Sequence, residues 1–117
     1  LELIKKNFMK KNFVAINYIS CEDSYKERFE ELFGSRIKAI DVMPGFIDMY
    51  VLKPSKDEDP YLVISHWESE SQFKEWTKSP NFLEGHKRAF SDLAEYKKEG
   101  KTAPMQSDFK TYNIIAE

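Results

Sequence analysis

The sequence has a single cysteine, Cys21, among 117 residues. No disulfide can form within the chain, so a disulfide-stapled scaffold is excluded. It also lacks an excess of charge: 18 Lys and Arg against 20 Asp and Glu leave a formal net charge of −2. Nucleic-acid binding usually calls for a basic patch or stripe. Here acidic and basic residues are interleaved, and no long-range steering field is expected. No run approaches the roughly 20 apolar residues that a membrane-spanning helix needs. There is no GxGxxG motif, and no other sign of a flavin or nicotinamide site. Internal repeats and low-complexity stretches are missing as well. Aromatic residues are plentiful: nine Phe, six Tyr and two Trp. They carry too much apolar surface for a disordered chain, and the length suits one domain.

The first ten residues, LELIKKNFMK, are too short and too broken by lysines to form the apolar core of a signal peptide. Met9 precedes a strand-like run. We expect Met9 to be the natural start and Leu1–Phe8 to be a cloning remnant or upstream read-through, a frayed native extension being the alternative. Residues 9–117 then form one domain, and without an export signal the cytoplasm is the expected compartment.

Asn12–Cys21 alternates and is rich in β-branched and aromatic residues, which predicts a strand. Phe13, Ala15, Asn17 and Ile19 share one face; Val14, Ile16 and Tyr18 share the other. Ser24 and Glu27 have capping-box spacing and open a helix with a Tyr25, Phe29, Leu32, Phe33 stripe and Gly34 as its C-cap. Arg36–Met43 reads as a short helical turn or an extended connection, and Pro44-Gly45 forces a turn. Phe46–Lys53 and Tyr61–Trp67 read as a hairpin around the polar loop Pro54–Pro60. Ser69 and Gln72 form a second capping box, opening a helix to about Lys78. Ser79 then caps a further helical piece with Pro80 at its first position, running to about Phe90. Ser91–Gln106 reads as a long mobile loop, and Phe109–Ile115 as the last strand. The order β-α-β-β-α-β is that of the α+β ferredoxin-like fold, a four-stranded antiparallel sheet with helices on one face. The other face is also apolar and must be covered. A second copy is the simplest cover, so a homodimer with a shared α+β barrel is expected.

Three residues stand out as candidates for chemistry. Asn17 is a polar amide in mid-strand, where propensity disfavours it and burial without a partner is costly. Trp76 and His86 lie ten residues apart across the Ser79-Pro80 break. Each has an ordinary explanation. A helical His is more often a surface or satisfied residue than a ligand. Trp76 follows Phe73 at helical spacing, as a core residue would, and Asn17 could bond a nearby loop. Yet Phe82, His86 and Phe90 lie at i, i+4 and i+8, so the imidazole sits within an apolar stripe. Neutral His in such a setting suits metal ligation, haem iron included.

The pattern Trp67-x-Ser69-x-x-x-Phe73-x-x-Trp76-x-x-Ser79-x-x-Phe82-x-x-x-His86 resembles the antibiotic biosynthesis monooxygenase superfamily. More narrowly, Asn17, Trp76 and His86 resemble the strand Asn, helix Trp and His of the IsdG/IsdI-type haem-degrading monooxygenases. The likeness spans about Asn12 to Ile115, with Pro104 and Tyr112 in keeping. It implies a haem held between the sheet and the helical layer, with His86 as axial ligand to the iron. Asn17 would stand on the distal side, its NH₂ donating to the oxygen being activated. Trp76 would press on the macrocycle and ruffle it, one of the levers a protein has on haem. Haem would be both cofactor and substrate, consumed with O₂ and an external electron donor. Phe73 and Phe82 would wall the pocket or serve the core.

Other residues carry less. Lys26, Arg28 and Arg88 could meet haem propionates but read better as solvated charge. His66 reads as structural or exposed, and Cys21 as a reduced bystander, though a thiolate ligand is chemically conceivable. Lys97–Lys101 is a pocket cover or a linker. Two other functions fit the same residues. One is a cofactor-independent monooxygenase of this superfamily acting on polycyclic aromatics; the other is a non-catalytic haem-binding protein.

Overall fold

The computed structural model of the chain describes residues 9–36 and 38–117; the reading of Leu1–Phe8 lies outside the described residues. In chain order the elements are β1 (Phe13–Cys21), α1 (Asp23–Gly34), a 3₁₀ turn (Ile40–Val42), β2 (Phe46–Leu52), β3 (Tyr61–Trp67), α2 (Glu70–Lys78), α3 (Pro80–Lys98) and β4 (Met105–Asn113). The sheet order is β2-β3-β1-β4, with every neighbouring pair antiparallel. This is the expected α+β ferredoxin-like arrangement. The polar β4 takes one edge and β2 the other.

Alternation along β1 does what it predicts. Phe13, Ala15 and Ile19 are buried under the helices, while Val14, Ile16 and Tyr18 are half-buried on the open face. The helical layer divides into two cores. Phe13, Ala15, Ile40, Phe46, Trp67, Phe73 and Trp76 make one. Ile19, Tyr25, Phe29, Leu32 and Tyr61 make the other. Asn17 falls between Ala15 of the first and Ile19 of the second, so it stands at the seam where the covering layer changes from α2 to α1. Its cross-strand partners there are Val63 on β3 and Phe109 on β4.

Four local expectations are corrected. The Ser24 capping box does not form: α1 starts at Asp23 after Glu22, with no side-chain cap. The Glu22 N–H is taken by the Pro104 carbonyl at 2.8 Å, so the chain turns into the helix directly off the strand and Ser24 lies inside the first turn. Gly34 is not a left-handed cap, since positive φ occurs only at Gly45 and Gly100 among the described residues. Ser35 and Arg88 close that end instead: Ser35 Oγ donates to Glu31 O at 2.8 Å, and Arg88 donates to Leu32 O and Ser35 O at 3.0 and 2.9 Å. Arg88 is thereby committed to a helix terminus.

The third correction is the largest. Ser91–Gln106 is not a loop, because α3 continues to Lys98. Its distal half packs on α1, with Tyr96 edge-on to Tyr25 at 6.1 Å. Asp92 accepts from Tyr25 Oη at 2.7 Å and Arg28 Nε at 2.9 Å. Burial alone would raise the Asp92 carboxyl, but those two donors outweigh it and hold it below the usual carboxylate range. The helix ends in a Schellman closure, with Gly100 at φ +73°, Lys101 N–H to Tyr96 O at 2.9 Å and Gly100 N–H to Lys97 O at 3.0 Å. Lys97–Lys101 is therefore a helix end. Fourth, β4 begins at Met105 and ends at Asn113, earlier than predicted. Its register with β1 is carried by backbone bonds, which polar residues make as readily as apolar ones.

Candidate functional site

The site is built where α2 meets α3. Ser79 belongs to both helices. Its hydroxyl donates to Trp76 O at 2.7 Å and accepts from Phe82 N–H at 3.2 Å. Pro80 supplies the fixed φ that starts α3. One residue thus sets the last turn of α2 against the first turn of α3, and a ten-residue separation becomes a contact. The Trp76 and His86 rings lie 6.1 Å apart. Asn81 Nδ2 to Ala39 O at 3.2 Å ties the start of α3 to the 3₁₀ segment. Gly85, one residue before His86, lies beside the Trp76 indole, where a Cβ would make ordinary van der Waals contact at 3.5 Å.

His86 stands in an aromatic stack along α3. Phe82 lies 4.1 Å away at 29°, and Phe90 5.5 Å away at 20° on the other side. Nδ1 is 2.7 Å from the Phe82 carbonyl oxygen, which can only accept, so Nδ1 carries the proton. In the neutral imidazole this tautomer puts the lone pair on Nε2, where a ligand could take it. A backbone carbonyl orienting one ring nitrogen while the other binds metal is a recurring arrangement. Among the described residues no three His, Cys, Asp or Glu side chains converge. A metal held at His86 would need its remaining donors from a ligand that brings its own.

Trp76 and Phe73 are buried, at 6% and 8% exposure; by burial both belong to the core, as their helical spacing allowed. Trp76 meets Phe82 at 5.4 Å in a T-shaped pair. Phe73 lies one helical turn before Trp76 and stacks in parallel on Phe109, with centroids 5.5 Å apart and planes 12° apart. Phe109 is the cross-strand partner of Asn17. The five predicted residues therefore fall into two connected groups. Trp76, Phe82 and His86 touch one another; Asn17 joins them from the sheet through Phe109 and Phe73.

Asn17 Oδ1 is buried with no hydrogen-bond partner, the one such side-chain atom among the described residues. An orphaned buried carbonyl costs about 1–3 kcal/mol. Groups of this kind call for an explanation such as strain, a buried water or a ligand.

The remaining candidates sit elsewhere. Arg28 pairs with Asp92 and Glu31, and Lys26 pairs with Asp23. His66 Nδ1 contacts Asp48 at 2.5 Å on the open face, where Lys11 also reaches Asp48 at 2.8 Å. Burial raises the Cys21 thiol above its ordinary pKa, which disfavours a thiolate. A separate groove of about 330 Å³ lies between α1 and β2, lined by Phe29, Phe33, Val51 and Tyr61 among others. Its carboxylate, Glu30, is already taken by Tyr61 Oη at 2.6 Å and Lys53 at 3.1 Å. Phe109, the cross-strand partner of Asn17, was not singled out by the sequence reading; it and Tyr112 are the aromatics of a largely polar strand.

No helix among the described residues is long and apolar enough to cross a membrane. Residues 12–88 match the model of the antibiotic biosynthesis monooxygenase family. A heme oxygenase (mycobilin-producing) of Mycobacterium tuberculosis is 36% identical over 67 residues, 57% of this chain. The match spans 64% of that relative's length. Among solved structures, the heme-degrader MhuD from Mycobacterium tuberculosis, with two hemes bound in its active site, superposes with a TM-score of 0.64 at 24% identity. That likeness covers 90% of this chain and 97% of the other. SnoaB, a cofactor-independent oxygenase from Streptomyces nogalater, superposes with a TM-score of 0.66 at 19% identity, covering 92% and 97%. At these identities the two structures bear on the fold, and the family match bears on descent. The chain belongs to the antibiotic biosynthesis monooxygenase family.

Proposed function

We propose that this protein is a haem-degrading monooxygenase that holds haem at His86. The observation that carries the reading is the imidazole itself: Nδ1 is locked to Phe82 O, Nε2 is left free, and Phe82, Phe90 and Trp76 surround the ring. A heme oxygenase relative that is 36% identical over 67 residues supports the reading further.

The donor set fits haem. One imidazole with one free nitrogen is what an axial position takes, and the macrocycle supplies four nitrogens of its own. Flat aromatic walls suit a flat apolar ring. When bound, haem supplies the redox chemistry and is also the substrate, opened with O₂ and electrons from an external reductant so that iron is released. The chain's own residues do the rest. His86 binds and sets orientation, its tautomer held by the Phe82 carbonyl. Trp76, packed against His86, bears on the ligand's ring and opposes a planar seat. Asn17 offers its NH₂ at the floor of the pocket, where a fixed donor stabilises charge developing on oxygen without reorganisation. Phe73 and Phe82 back the wall and keep water from the imidazole.

Ascorbate added in air to the hemin-loaded protein, with catalase present, is expected to bleach the Soret band and free the iron. A Soret band that persists with every reductant tried would leave a haem carrier. Turnover of polycyclic aromatics without haem would favour the cofactor-independent chemistry of this family.

The same reading includes a homodimer closed over the open sheet face. Leu52, Tyr50 and Tyr112 there are 44%, 53% and 46% exposed, beside half-buried Val14, Ile16, Leu62 and Ile64. An apolar sheet face of this extent needs a cover. Sedimentation equilibrium is expected to give two chains per particle; a monomer at micromolar concentration would contradict it.

A further inference from the structure

The side chain on the helix-covered face of β4 that is neither small and polar nor folded into a core is Phe109. On that face Ser107, Thr111 and Asn113 are short and exposed, and Met105 packs against the second core. Phe109 is 49% exposed although it points under the helices and lies parallel to buried Phe73. Its own partner across the strand is Asn17, whose side-chain oxygen is buried and orphaned. An aromatic face left open and an acceptor left unpaired thus occupy adjacent positions on the same surface. Each is costly alone. A ligand with a flat apolar ring would cover the open aromatic face, and its edge would lie beside the Asn17 amide.

We infer that Phe109 is a specificity-determining wall of the pocket. Backed by Phe73, it stacks against the flat ring of the substrate and fixes which edge of that ring faces Asn17. The inference rests on the haem reading and adds to it how the macrocycle is selected and turned. The chemical class it selects is a planar, extended aromatic macrocycle, with or without a metal, since ring stacking is indifferent to iron.

That indifference supplies the test. Hemin and metal-free protoporphyrin IX are titrated into wild type, Phe109→Ala, Phe109→Leu and His86→Ala, following Soret absorbance and tryptophan quenching. Aromatic stacking is worth about 0.5–1.5 kcal/mol, so Phe109→Ala is expected to weaken both ligands by roughly threefold to tenfold. Phe109→Leu keeps an apolar contact on Phe73 and guards against a folding defect; it is expected to lose most of the same affinity. His86→Ala is expected to weaken hemin while leaving protoporphyrin IX within about twofold. On turnover, Phe109→Ala is expected to broaden the distribution of ring-opened isomers, which a merely structural role would not change. Wild-type affinity for both ligands in folded Phe109→Ala, with an unchanged isomer pattern, would overturn the inference and leave the haem reading standing. Failure of wild type to bind either ligand would remove both together.

Discussion

His86→Ala is expected to lower hemin affinity by more than about 100-fold and to abolish the Soret signature of axial imidazole ligation. The size follows from what is removed. Disturbing the partners that merely orient a metal-bound imidazole typically costs 10–100-fold in affinity; removing the ligand costs more. The rest of the molecule has little reason to change. His86 is half-buried, and its polar partner is the Phe82 carbonyl, four residues back on the same helix. The vacancy is lined by Phe82, Phe90 and Trp76, of which Trp76 and Phe82 also hold each other. That vacancy has the shape of an imidazole, so free imidazole added to the variant is expected to restore part of the ligated spectrum. Hemin bound to His86→Ala with wild-type affinity and spectrum would place the ligand elsewhere.

Asn17→Ala is expected to separate binding from turnover. Hemin affinity stays within about threefold, because the amide is not the ligand. Degradation falls by roughly 10²–10³, the usual loss when a preorganised donor to developing oxyanion charge is deleted. Stability moves the other way or not at all. The wild-type protein carries a buried, unpartnered Oδ1 at this position. Replacing it with a methyl removes a desolvation cost of about 1–3 kcal/mol and leaves a small void. The melting temperature of the apo variant is therefore expected to be equal to or above that of wild type. Full-rate degradation by Asn17→Ala would end the assigned role.

Much of this site could be read from the residues alone, and the reasons are local. β3 is found at its predicted bounds because Tyr61–Trp67 opens with a run of apolar and β-branched residues and lies between two polar flanks. Ser79-Pro80 is a strong helix-start signal with one structural solution, so the meeting of Trp76 and His86 followed from spacing. The flat aromatic setting of His86 was legible as an i, i+4, i+8 stripe and is present as a stack. What escaped depended on partners distant in sequence. The far half of α3 looks like a solvated linker until Tyr25 and Arg28 of α1 are placed against Asp92 and Tyr96. Its Gly100 closure was visible as a C-terminal signal, outweighed by the polar run around it. Arg88 looked like free charge because the helix end it caps lies 53 residues away. Phe109 carried no periodic signal, since β4 is held by backbone pairing to β1. Only the register that sets it beside Asn17 gives it meaning.

That register also explains why the two cores leave a seam. α1 covers one end of the central strands, α2 and the 3₁₀ turn cover the other, and β1 must pass beneath the join. Asn17 is half-buried at that join, between buried Ala15 and Ile19, with its Oδ1 buried.

The most direct measurement is a hemin titration of the purified protein, read at the Soret band. The account predicts saturation at one haem per chain, with a spectrum of axial imidazole ligation that His86→Ala lacks. A titration that never saturates, or one that proceeds equally well without His86, would contradict it.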